Sequence, residues 1–70
     1  MLMRRIRNFL DLRLQDVEAA SGVPGYRLAK AERGTIRLNS AEAAALEAYY
    51  RARLRVVLAD AHEQELEAQN

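Results

Sequence analysis

The chain has no cysteine, one proline, one lysine, one histidine and three glycines in 70 residues. Without cysteine there is no disulfide framework, no thiolate nucleophile and no sulfur metal site. A lone histidine among few aspartates supplies no ligand set, so neither metal nor cofactor is expected. No run of about 18 apolar residues occurs, which excludes a membrane-spanning helix. Arg4 and Arg5 are not followed by the apolar stretch of a secretory signal. The expected location is cytoplasmic. Ser21 and Ser40 have no histidine near them in sequence, and no carboxylate pair marks a cleft. A chain this short and this rich in alanine is poor material for a deep pocket, so no enzyme is expected.

Half of the residues are apolar, yet 13 of those 35 are alanines that bury little area each. Chains below about 70–80 residues seldom build a core worth more than about 3–5 kcal/mol alone. A partner subunit is expected on that ground. The net charge of +1 conceals a gradient. Residues 1–37 carry eight bases against Asp11, Asp16, Glu18 and Glu32, a balance of +4. Residues 38–58 hold Arg51, Arg53 and Arg55 against Glu42 and Glu47, a balance of +1. Residues 59–70 hold Asp60, Glu63, Glu65 and Glu67, a balance of −4. A basic front suits an anionic partner and an acidic tail avoids one. Arginine outnumbers lysine ten to one, which favours bidentate contacts to phosphate.

The pattern is helical throughout. Val, Ile and Thr total seven, and no stretch alternates with period two. The spacing predicts a first helix over about Leu2–Asp11, with Ile6, Phe9 and Leu10 as its buried stripe. A second covers about Leu14–Ser21, with Leu14 and Val17 inward and Gly22 at its C-terminal turn. Pro24 suits the first turn of a third helix, which runs to about Arg33 and ends at Gly34. Leu28 and Ala31 face inward there, and Tyr26, Ala29, Lys30 and Arg33 lie mostly on the other side. Asn39 and Glu42 have the spacing of a capping box. From Ser40 to about Ala68 there is no glycine or proline. That stretch is one long helix or two with a break near Tyr49–Arg53, and residues 64–70 are expected to fray.

Helix, Gly-Val-Pro corner, helix is the arrangement of a helix-turn-helix. The stretch LRLQDVEAASGVPGYRLAKAERG, Leu12–Gly34, resembles the helix-turn-helix of the lambda-repressor-like (Cro-type) DNA-binding proteins. Gly22-Val23 and Glu32-Arg33-Gly34 are its most recognisable pieces, and the likeness extends from about Arg4 to about Leu46. It implies an all-α fold: a small four- or five-helix lambda-repressor-like domain with an extended C-terminal helix. Residues 1–48 would form the DNA-binding domain. The implied function is a dimeric, sequence-specific transcriptional regulator, a repressor of bacterial or phage type that binds an inverted repeat of double-stranded DNA. The second helix of the pair would enter the major groove. The resemblance places base contacts at Gly25, Tyr26, Ala29 and Lys30, and phosphate contacts at Arg13, Gln15, Arg27, Arg33 and Arg37. It implies a structural ion pair between Arg7 and Glu32. Some positions depart from the family pattern. Glu18 stands where the family has a small alanine, Pro24 replaces a Ser or Thr cap, and Gly25 brings no side chain to a base-reading position.

Residues 49–70 are expected to form the dimerisation helix, ending in a frayed acidic tail. Tyr50, Leu54, Val57, Leu58 and Ala61 recur at steps of one, three and four and are its expected interface. The competing reading is an antitoxin-like or adaptor protein whose C-terminal helix binds another protein. His62 is expected to be an ordinary surface residue.

Overall fold

A computed structural model describes the backbone of residues 2–68 and the side chains of residues 3–62. Four α-helices and no strand occur among the described residues: α1 Leu2–Phe9, α2 Leu14–Ser21, α3 Gly25–Glu32 and α4 Ser40–Ala68. The first three are short and pack with the start of α4 into a head. Leu10, Val17, Val23, Leu28, Leu46 and Tyr50 are its buried centre, beside a buried Ala31. Met3, Ile6, Leu12, Leu14 and Leu38 pack around them. This is a small all-α domain, as the composition requires.

The helix ends follow from single residues. α1 stops at Phe9, two residues short of the expected Asp11. Leu12 N–H bonds Arg7 C=O at 3.0 Å and Asp11 N–H bonds Asn8 C=O at 3.1 Å, closing the helix around a left-handed Asp11 (φ +56°). The inward stripe is Met3, Ile6 and Leu10, with Phe9 to its side. Leu10 and Leu12 turn inward from the connecting segment, and Phe9, expected in the core, is 69% exposed. A left-handed L-residue costs about 1–2 kcal/mol, least for Asp and Asn. Asp11→Val should therefore lower stability by about 1–2 kcal/mol. Asp11→Gly should leave it unchanged or raise it slightly, because relief of that strain offsets the added freedom of the unfolded chain. Thermal melts of the two variants check this, and equal losses would contradict it.

The α2–α3 corner is built from four residues. Gly22 takes φ +78° and its N–H bonds Glu18 C=O at 2.9 Å. Ser21 Oγ donates to Val17 C=O at 2.6 Å and accepts from Val23 N–H at 3.2 Å. Val23, 3% exposed, anchors the corner in the core. Pro24 caps α3 from outside, its carbonyl accepting from Leu28 N–H at 3.0 Å, and the helix begins at Gly25, directly after the expected Gly-Val-Pro corner. Gly34, φ +78°, closes α3 by the same pattern as Asp11 closes α1: Thr35 N–H bonds Lys30 C=O at 2.9 Å and Gly34 N–H bonds Ala31 C=O at 3.0 Å.

α4 is one uninterrupted helix of 29 residues, about 43 Å long. It resolves the choice between one helix and two, and it runs to Ala68 through residues expected to fray. Residues 69 and 70 lie outside the described residues. The expected division at residue 48 falls within this helix: Leu46 and Tyr50 share one core on either side of it. The chain is accordingly elongated, with extents of 49 × 19 × 18 Å.

Candidate nucleic-acid interface

α3 divides its residues sharply between core and solvent. Leu28 and Ala31 are each 1% exposed, whereas Tyr26, Lys30 and Arg33 lie on the outer face. Ala29 and Gly25 are half-buried between these faces. Lys30 Nζ sits 5.9 Å from the Tyr26 ring centroid, one helical turn away, a cation–π contact on an exposed face. Of the residues expected to read bases, Tyr26 and Lys30 therefore form one projecting pair.

Bases surround this face. Arg33 and Arg4 border a small cleft floored by Leu14 and Ala29. Arg37 is exposed in the loop after α3, and Arg13 and Gln15 are exposed at the start of α2. Among the described residues, Arg4, Arg5, Lys30, Arg33 and Arg37 form no ion pair. Arg13 makes only a long, exposed contact to Asp16 at 3.4 Å. The Asp16 carboxylate also accepts from Arg13 N–H at 2.9 Å, and this bond holds its pKa below the ordinary carboxylate value. Arg4 was not singled out in the sequence. Its signal is its place one turn before Arg7.

Two arginines are committed to the scaffold. Arg7 grips Glu32 through two parallel bonds, Nε–Oε2 at 2.7 Å and a second terminal nitrogen to Oε1 at 2.9 Å. Its remaining terminal nitrogen donates to Leu12 C=O at 2.9 Å. One guanidinium thus ties α1, the α1–α2 segment and the end of α3. The Glu32 bonds raise the Arg7 pKa. Arg27 departs from the sequence reading. It was expected at a phosphate, but its guanidinium is held by Glu42 at 2.6 and 2.7 Å. The fork fastens α3 to the first turn of α4.

Glu42 is shared between that fork and a helix cap. Its carboxylate accepts from Asn39 N–H at 3.0 Å, and its own N–H donates to Asn39 Oδ1 at 2.8 Å, completing the expected capping box. Arg27, and then the Asn39 N–H, lower the Glu42 pKa from 4.5 to about 2. A carboxylate with a depressed folded pKa stabilises the fold above its unfolded pKa and loses that contribution as pH falls. Stability should therefore fall between about pH 4.5 and pH 2. Glu42→Gln should flatten this part of the Tm–pH curve and lower Tm at pH 7. An unchanged acid limb would contradict the assignment.

Glu18 has a place that the sequence left open. A Cβ on residue 25 would lie 3.2 Å from Glu18 Oε2, a tight contact with the tip of an exposed side chain that sits beside the start of α3. Negative charge is favourable at a helix N-terminus.

The expected dimer residues divide. Tyr50 is 4% exposed and packs mainly in the head's own core, where its ring lies 5.9 Å from that of Tyr49. Leu54 and Val57 are half-buried against the head. Leu58 is 67% exposed and Ala61 is exposed. His62 is exposed, as expected. No protein family, characterised protein or solved structure matches this chain.

Proposed function

We propose that the chain is a DNA-binding regulator whose α2 and α3 act as a helix-turn-helix within a lambda-repressor-like domain. The observation that carries this reading is the outer face of α3. It presents Tyr26, Lys30 and Arg33 to solvent while the inner face is fixed in the core. The major groove, about 12 Å wide, admits one helix. Lys30 would donate to guanine O6 and N7, and Tyr26 would reach a neighbouring base or phosphate. Arg13, Gln15, Arg33 and Arg37 would hold the phosphates on either side, joined by Arg4. Gly25 offers no side chain and Ala29 only a methyl group. Direct base readout is therefore thin, and DNA shape contributes to the choice of site.

A regulator of this kind needs no ligand domain, since occupancy of a promoter is enough to repress. An inverted repeat is matched by two heads related by a two-fold axis. Fluorescence anisotropy with duplex DNA tests the proposal. Wild-type protein should bind, and Arg33→Glu/Arg37→Glu should abolish binding while retaining its helical circular dichroism. Equal binding by both proteins would contradict the docking face.

A further inference from the structure

Beyond the head, the described side chains of α4, up to His62, are mostly exposed. A mainly apolar cleft between α1 and α4, lined by Met3, Ile6, Ala43, Tyr50 and Leu54 and by the exposed Glu47–Arg51 pair (2.7 Å), opens onto the same side of the helix as Val57, Leu58 and Ala61. The steps 43, 50, 54, 57 and 61 keep these positions on one face, and Leu58 flanks it. The charges along the helix are segregated. Arg51, Arg53 and Arg55 occupy the middle, and Asp60, Glu63, Glu65 and Glu67 occupy the last turns. That order opposes the helix dipole, which favours cations at a C-terminal end. The last turn contains no base.

We infer that this face is covered by α4 of a second copy of the chain, running antiparallel and centred near Leu58. Parallel pairing would set arginine on arginine and glutamate on glutamate. Antiparallel pairing sets the arginine segment of each copy against the acidic segment of the other, with positions 51 and 65 opposite, 53 level with 63 and about one turn from 67. It supplies the cations that each acidic helix end lacks, and it brings the two exposed Leu58 side chains together on the two-fold axis. The far end of each helix then lies over the other's apolar cleft.

The inference deepens the dimeric part of the functional reading but does not depend on DNA binding. Its geometry bears on that reading all the same. With about 1.5 Å of rise per residue, Leu46 of one copy and Leu46 of the other stand about 36 Å apart along the paired helices. Half-sites one turn apart on DNA are separated by about 34–36 Å.

The absence of cysteine makes the test direct. Arg51→Cys and Glu65→Cys each introduce a unique thiol. Under mild oxidation, neither variant alone should crosslink, and a mixture of the two should give a disulfide-linked dimer. Self-crosslinking of each single variant would show parallel pairing and overturn the inference. Sedimentation equilibrium of the cysteine-free protein provides a second readout. A monomer overturns the inference, and a dimer that Leu58→Asp weakens at least about tenfold supports it. Arg51→Glu/Arg53→Glu should weaken self-association similarly, and mixing it with Glu65→Arg/Glu67→Arg should restore it. Protein that crosslinks as expected yet binds no DNA would leave this inference standing and remove the DNA reading alone.

Discussion

Arg7→Ala should cost about 3–5 kcal/mol and lower Tm by more than about 12 °C. The loss exceeds that of a surface pair because of what remains behind. Glu32 is 5% exposed on its side chain, and both of its carboxylate oxygens are held by Arg7. Truncating Arg7 strands that charge and also releases Leu12 C=O. Small domains have only about 0.05–0.15 kcal/mol of stability per residue, so this variant sits close to unfolding. Arg7→Lys should recover part of the loss, since a lysine supplies charge without the planar fork. Arg7→Met/Glu32→Leu should recover most of it, because replacing both partners by apolar groups strands no charge. Thermal melts by circular dichroism check the series. An unchanged Tm in Arg7→Ala would show that the pair does not hold α1 to α3.

This pair was legible in the sequence only through its resemblance to a family, and the reason is physical. Arg7 and Glu32 lie 25 residues apart on different helices, and no periodicity joins them. What periodicity does fix is local. Val17, Leu28 and Leu46 fall on the inward faces of their helices as spacing demands, and all three are fully buried. Gly22, Gly34 and the Asn39–Glu42 box mark helix ends because backbone geometry and capping act within a few residues. Phe9 was misplaced because Met3, Ile6 and Leu10, at steps of three and four, carry the inward stripe and leave Phe9 to its side. The Arg27–Glu42 pair was not foreseen for another reason. The outward-facing charge of Arg27 suits a phosphate as well as it suits Glu42, and only the packing of α3 on α4 brings that carboxylate within 2.6 Å. Tyr50 carried the right period for the α4 stripe, but the head reaches far enough along that helix to bury it.

The second large effect concerns ionic strength. Arg13, Arg33 and Arg37 from each of two heads would neutralise about six phosphates, and each contributes about −0.9 to the slope of log affinity against log salt. Affinity should fall about 10³-fold between 50 and 200 mM salt. Arg37→Ala should weaken binding to all duplexes alike and make the slope shallower by about one for each head. Lys30→Ala should behave differently, relaxing the preference at one base pair of each half-site by about 1–3 kcal/mol. Titrations at several salt concentrations with matched and mismatched duplexes separate the two roles. A salt-independent affinity would contradict the phosphate contacts. An unchanged base preference in Lys30→Ala would remove Lys30 from the groove.

If α3 enters the major groove, selection from random duplexes with the purified protein at near-physiological salt should enrich an inverted repeat whose half-sites lie about 10–10.5 base pairs apart, centre to centre. Folded protein that enriches no sequence would contradict it.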